Sequence, residues 1–166
     1  MTRRIASPST GGIMSFRHLA QCSSFALVLL AGAVPVLADD PPKPVNLQVT
    51  ATDFKNTKGQ AIFALYDSKG AWLKLEKALR VVKVPISGGS VDFTFKDVPA
   101  GVYAVSVIHD ENSNGKLDMH WFPVPGPDEG AGVSNDATAT IGPPSYNDSK
   151  FRLTDAGGRI RLKIRY

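Results

Sequence analysis

Residues 159–166 read Arg-Ile-Arg-Leu-Lys-Ile-Arg-Tyr, a strict alternation of cations with large apolar side chains. Wound into a helix, this pattern would scatter charge and apolar surface around the whole circumference. Extended, it separates them, because successive side chains of a strand point to opposite faces. The same period of two runs through Val45, Leu47, Val49 and Ala51, which alternate with Asn46, Gln48, Thr50 and Thr52. Half-buried strands are therefore the dominant element, and each needs a second layer to cover its apolar face.

Further strand segments follow the same logic. Gln60–Tyr66 (QAIFALY) is almost continuously apolar, as expected of a central strand. Val81–Ile86 and Val91–Phe95 are separated by Ser87-Gly88-Gly89-Ser90, which reads as a hairpin turn. Val102–Ile108 is a fifth strand, entered through Pro99-Ala100-Gly101. Phe151 and Leu153 mark a sixth, and Gly157-Gly158 turns the chain into the seventh. Only Trp72–Leu79 has helical character: Trp72, Leu75 and Leu79 share a face, which predicts a short helix or helical turn at a crossing between strands. Seven short strands with turn signals between them favour a β-sandwich, with a small barrel as the alternative. The four cations of the last strand read as charges that discourage edge pairing, in preference to an anion-binding stripe.

The first 38 residues obey different rules. Phe25–Ala38 (FALVLLAGAVPVLA) carries no charge, follows Arg17 and His18, and ends in Val36-Leu37-Ala38. This is the pattern of a signal peptide cut after Ala38, and Met14 offers a second, more ordinary start for it. Fourteen residues are too few for a membrane span, which needs about 20. Asp39-Asp40-Pro41-Pro42-Lys43-Pro44 follows as a proline-rich lead-in, leaving 45–166 as a single domain. The expected location is the periplasm or the extracellular medium, with no transmembrane segment after cleavage. Residues 1–38 hold Arg3, Arg4, Arg17 and no acidic group, so the net charge of +4 falls to +1 in the remainder. That balance gives no ground for nucleic-acid binding. Cys22, the single cysteine, leaves with the leader, which excludes a disulfide, a thiolate metal site and a thiol nucleophile.

From Asp110 to Asp148 the period is lost in a stretch rich in glycine and proline. Trp121, Phe122, Val133, Ile141 and Tyr146 argue that this long loop is ordered and folds back onto the sandwich. Its start, Asp110-Glu111-Asn112-Ser113-Asn114-Gly115-Lys116-Leu117-Asp118, carries oxygen-bearing side chains at loop positions 1, 3, 5 and 9, glycine at 6 and an apolar residue at 8. A calcium loop has this form: Asp110, Asn112, Asn114 and Asp118 would offer side chains, Lys116 its backbone carbonyl, and Leu117 would pack the loop to the core. Trp121 stands at position 12, where a bidentate Glu belongs. Glu111, Asp128, Glu129 and Asp136 are candidates for the missing oxygens. The competing reading, which is preferred, is a string of Asx turns that caps the strand without a metal.

His109 and His120 flank the loop, but their spacing is not diagnostic of zinc. A Glu111/Asp118 acid–base pair, or a metal-assisted hydrolase using these carboxylates and His109, is the enzymatic alternative. The sequence contains no G-x-S-x-G elbow and no glycine-rich phosphate loop ahead of a helix.

The run from Asp97 to Asp118 (DVPAGVYAVSVIHDENSNGKLD) resembles the bacterial family of exported proteins known as domain of unknown function 2141. Gly59–Tyr66, Gly132-Val133-Ser134-Asn135 and Gly142-Pro143-Pro144-Ser145-Tyr146 through Lys150-Phe151 match it as well. The resemblance implies an exported β-sandwich of unassigned activity and supplies no catalytic residues. Residues 121–129 depart from it in their density of proline. Together these readings give an all-β fold: about seven strands in an antiparallel β-sandwich, immunoglobulin-like or transthyretin-like, with one short helix and a long ordered loop. Its function would be that of a monomeric binding or structural module, its partner a surface polymer, a peptide or a protein, with calcium as the one candidate cofactor.

Overall fold

A computed structural model of the chain describes residues 43–120 and 126–166. Ten strands run in chain order: β1 (Val45–Thr52), β2 (Gln60–Tyr66), β3 (Arg80–Pro85), β4 (Ser90–Val98), β5 (Gly101–Asp110), β6 (Met119–His120), β7 (Gly126–Pro127), β8 (Gly130–Val133), β9 (Phe151–Leu153) and β10 (Gly158–Lys163). One sheet has the order β10-β1-β4, and the other β3-β2-β5-β8 with β9 also on β5. β6 and β7 form a separate ribbon. The fold is all-β and sandwich-like. No helix among the described residues is long and apolar enough to cross a membrane.

The alternation seen in the sequence builds the core. Leu47, Val49 and Ala51 of β1, Phe95 of β4 and Leu162 of β10 meet Ala61, Phe63 and Leu65 of β2 and Val105 and Val107 of β5. Each fully buried Leu, Val or Phe contributes about 1.5–3 kcal/mol relative to exposure. Along β10 and the residues that follow it, Leu162 and Ile164 are buried while Arg159, Arg161, Lys163 and Arg165 lie in solvent.

β2 and β5 are buried on both faces. Ile62, Ala64, Tyr66, Ala104, Ser106 and Ile108 face away from the sandwich core yet are covered. Ala71, Trp72 and Leu75 pack against Ala64 and Tyr66. Trp72 Nε1 donates to the Pro144 carbonyl at 2.8 Å, and its ring stands edge-on to Tyr146. Tyr146 opens a one-turn helix, α1 (Tyr146–Ser149), capped by Ser145, whose hydroxyl accepts from the Asp148 N–H.

Four expectations need correction. β3 and β4 are not a hairpin: β3 pairs with β2 and β4 with β1, so Ser87–Gly89 arches from one sheet to the other. Alternation dictates which face is buried and leaves the choice of neighbour open. The sandwich is not wholly antiparallel, since β1 and β10 pair in parallel, Val49 opposite Ile160. The Trp72–Leu79 segment holds the expected helical turn, 3₁₀ at Leu75–Lys77, but Leu79 is exposed and does not share the packed face of Trp72 and Leu75. Finally, Val133 and Tyr146 fold inward as expected, but Ile141 is 93% exposed. Trp121 and Phe122 lie outside the described residues.

The two sheets are joined along one seam. Ala131 of β8 exchanges both backbone hydrogen bonds with Arg165, at 2.8 and 2.9 Å. Gly130 and Gly132 make this approach feasible. A Cβ at Gly132 would stand 2.3 Å from the Lys163 carbonyl oxygen, and one at Gly130 2.4 Å from the Tyr166 ring. Further along the same edge of β5, Ser134 fills the gap between β8 and β9: its hydroxyl accepts from the Val105 N–H at 2.9 Å and donates to the Ser149 carbonyl.

Candidate functional site

β5 delivers Asp110 to the start of the acidic loop with its carboxylate fully buried. Oδ1 accepts from the Asn114 N–H at 2.9 Å; Oδ2 accepts from the Gly115 N–H at 2.8 Å and from Gln60 Nε2 at 2.7 Å. The turn these bonds close requires φ of +87° at Gly115, which glycine adopts without steric cost. Asn112 and Asn114 each accept a backbone N–H two residues on, the Asx-turn pattern. Their amide Nδ2 groups converge on Asp118 Oδ2, at 2.7 and 2.8 Å. Lys116 Nζ lies 3.4 Å from Asp118 Oδ1. These donors, the Asn112 amide first, hold the Asp118 carboxyl below its ordinary range. Asp110, Asn112, Asn114 and Asp118 are thus drawn into one network.

Of the four additional carboxylates, only Glu129 reaches this loop. It is buried; its Oε1 accepts from the Glu111 N–H at 2.9 Å and its Oε2 from the Asp118 N–H at 3.1 Å. Glu111 turns away to Lys55 Nζ at 2.5 Å and Asn56 Nδ2 at 3.0 Å, and the Lys55 bond in particular lowers its pKa. Asp128 pairs with His120 Nδ1 at 3.0 Å, and Asp136 accepts from the Lys163 N–H. Glu111 and Asp118 therefore have separate partners. Among the described residues no group of three or more His, Cys, Asp and Glu side chains is placed to hold a metal.

His109 is fully buried and both its nitrogens are engaged. Nε2 lies 2.9 Å from the Lys58 carbonyl oxygen, which can only accept, so Nε2 carries the proton. Nδ1 then accepts from the Tyr166 hydroxyl at 2.5 Å, and that hydroxyl itself accepts from the Lys55 N–H at 3.0 Å. The imidazole ties β5 to the β1–β2 connection and to the end of the last strand.

A cavity of about 530 Å³ lies elsewhere, on the outer face of the β3-β2-β5-β8 sheet. Ile108, Ala131 and Val133 form its floor together with the hydroxyl-bearing Tyr66 and Ser106. Leu73, Leu75, Leu117, Pro143 and Pro144 add apolar groups to its lining. None of His109, Asp110, Glu111 and Asp118 lines it.

The sequence from β1 to β10 that builds both loop and cavity matches a family model, described as an uncharacterized protein conserved in bacteria (DUF2141), over residues 49–161. The chain belongs to this family. No curated protein and no solved structure matches it. The acidic loop of this DUF2141 chain is as compact as its spacing predicts, with one difference: Leu117 is half-buried against the cavity instead of packing into the sandwich core. The cavity itself is not foreseen by the sequence reading. Its available signal is the unbroken apolar run of Gln60–Tyr66, which requires a cover on the second face of β2 as well as the first.

Proposed function

We propose that this DUF2141 chain is an exported binding module, an immunoglobulin-like or transthyretin-like sandwich whose ligand site is the cavity on the outer face of the β3-β2-β5-β8 sheet. One observation carries this reading: the concave surface is lined mainly by apolar groups, while His109, Asp110, Glu111 and Asp118 lie outside it and are each bonded to other groups of the chain. Catalysis by carboxylates and imidazole needs them to converge on space for a substrate. Binding of a small molecule needs an apolar pocket of roughly 300–1,000 Å³ with few polar groups. Export rests on the basic, apolar leader ending in Val36-Leu37-Ala38. The test is native mass spectrometry of the protein recovered from the extracytoplasmic fraction. A chain beginning at Asp39 and carrying one small molecule supports the reading; a full-length cytoplasmic species without one refutes it.

A second reading, weak calcium binding by Asp110, Asn112, Asn114, the Lys116 carbonyl and Asp118, is favoured by one feature. The two asparagine amides meet at Asp118 Oδ2, and either amide turned over presents oxygen where nitrogen now stands. Two carboxylates among five such ligands suit an affinity of about 10⁻⁴–10⁻³ M. Calcium at ten times that Kd stabilises a fold that binds only when native by about 1.4 kcal/mol. Melting curves with calcium, with magnesium, with zinc and with chelator decide it: a rise with calcium alone supports the site, and four identical curves leave a capped turn.

A further inference from the structure

Resting on the binding-module reading above, we infer that the cavity takes the hydrocarbon tail of a single-chain amphiphile whose anionic head meets Lys83 and Lys116 at the mouth. The volume comes first. The cavity of about 530 Å³ falls within the roughly 300–1,000 Å³ of small-molecule sites, the scale of one acyl chain.

The chemistry of the wall selects hydrocarbon over sugar or peptide. Tyr66 and Ser106 are buried polar groups of the floor, and their hydroxyls lie 3.5 Å from each other. Burial pushes the Tyr66 phenol above its ordinary pKa, so it stays neutral. Every buried polar side-chain atom among the described residues has a partner. Tyr66 and Ser106 share one hydrogen bond, so between them they leave a ligand a single O–H donor, too little to recompense a sugar or a peptide for its lost water.

The rim selects the head. Gly115 and Lys116 form one corner of the cavity, and the Lys83 ammonium lies 3.0 Å from where a Gly115 Cβ would stand. Lys83 has no carboxylate within 4 Å among the described residues, and the Lys116 side chain is 71% exposed, with Asp118 at 3.4 Å. Glu76 is the one acidic side chain of the lining. With Asp118 already beside Lys116, the Lys83 ammonium is the cation that favours an anion at this corner. Ile141, which is almost wholly exposed, sits two residues before Pro143 of the wall and adds apolar surface beside it.

The test is calorimetric titration of the purified protein with octanoate, decanoate, dodecanoate and hexadecanoate below their micellar concentrations. Dodecyltrimethylammonium is the cationic control, and a twelve-carbon lysophosphatidylglycerol separates a lipid headgroup from a free acid as the anion. The expected result is one site whose affinity rises about fourfold per methylene and levels off once the cavity is full. Dodecanoate should exceed the cationic control by about threefold to tenfold, the worth of one or two exposed ion pairs. Ala131→Phe, which fills the floor, should abolish binding, and Lys83→Glu with Lys116→Glu should reverse the preference for the anion. Should Ala131→Phe misfold, Leu117→Trp closes the same space from the loop side. Chains that bind regardless of head charge would overturn the inference and leave the cavity as the binding site. Absence of binding by every chain, or binding indifferent to both cavity-filling variants, would overturn the inference and the module reading together.

Discussion

Asp110→Ala is the substitution on which the acidic loop depends most. The carboxylate is fully buried and accepts three N–H donors, from Asn114, Gly115 and Gln60. Alanine removes all three bonds and leaves the donors to find water. The Asn114 N–H suffers least, because Asn112 Oδ1 already shares it at 3.0 Å. The Gly115 N–H and the Gln60 amide lose their carboxylate partner, at about 1–3 kcal/mol each. The expected loss is therefore about 2–6 kcal/mol, or roughly 8–24 °C in Tm for a domain of this size. Asp110→Asn should be milder, about 1–2 kcal/mol, since its one oxygen can keep the position that serves Gly115 and Gln60 while its amide faces the shared Asn114 N–H. Urea unfolding followed by tryptophan fluorescence and by circular dichroism measures both variants. A loss below about 1 kcal/mol for Asp110→Ala, or an alanine variant as stable as the asparagine one, would refute the account of the loop as a network centred on this carboxylate.

Gly132→Ala places a methyl group against the Lys163 carbonyl, and backbone cannot yield as a flexible side chain would. We expect a loss of about 1–3 kcal/mol and faster amide exchange at Ala131 and Arg165. Tyr166→Phe deprives His109 Nδ1 of its donor and the Lys55 N–H of its acceptor, and should lower the urea-unfolding free energy by about 1–3 kcal/mol. Asp118 is held below its ordinary value of 3.8 by its amide neighbours, so its contribution is complete above that pH and is lost as pH falls through the lower folded value. Asp118→Asn should therefore be less stable than the parent at pH 7 and equal to it in acid, as unfolding curves between pH 7 and pH 2 would reveal.

Much of this architecture was legible in the sequence because one constraint, the burial of alternate side chains, acts locally. The sequence assigns strand to all seven segments that carry β1–β5, β9 and β10, and the Asp-x-Asn-x-Asn-Gly spacing already contains the turn at Gly115. What escaped depends on partners distant in the chain. Val91 and Phe95 need an apolar neighbour, and β1 supplies it as well as β3 would. Gly130 and Gly132 read as loop residues until the last strand is laid against them. His109 looks like a ligand on paper, but Tyr166 and Lys58 claim both its nitrogens across more than fifty positions. Glu129 is one acidic residue among several until the fold brings it under the Glu111 and Asp118 amides. The cavity is hardest of all to foresee, since three segments that lack strand periodicity enclose it.

The parallel pairing of β1 with β10 makes these strands the slow step of assembly. Val49 meets Ile160, and Leu47 meets Gly158, only after a loop of more than a hundred residues has closed. No tight turn can zip such a pair, so its entropy is spent before any of its contacts form. Until then β1 has its hairpin-free partner β4 on one side and an open row of amides on the other. Any state that precedes the docking of β10 leaves β1 unpaired along that edge, which is where a neighbouring molecule could add itself. The cations on alternate positions of β10 guard the finished edge, but nothing comparable guards β1, whose alternate side chains are Asn46, Gln48, Thr50 and Thr52. Refolding yield should fall with protein concentration well before native stability does.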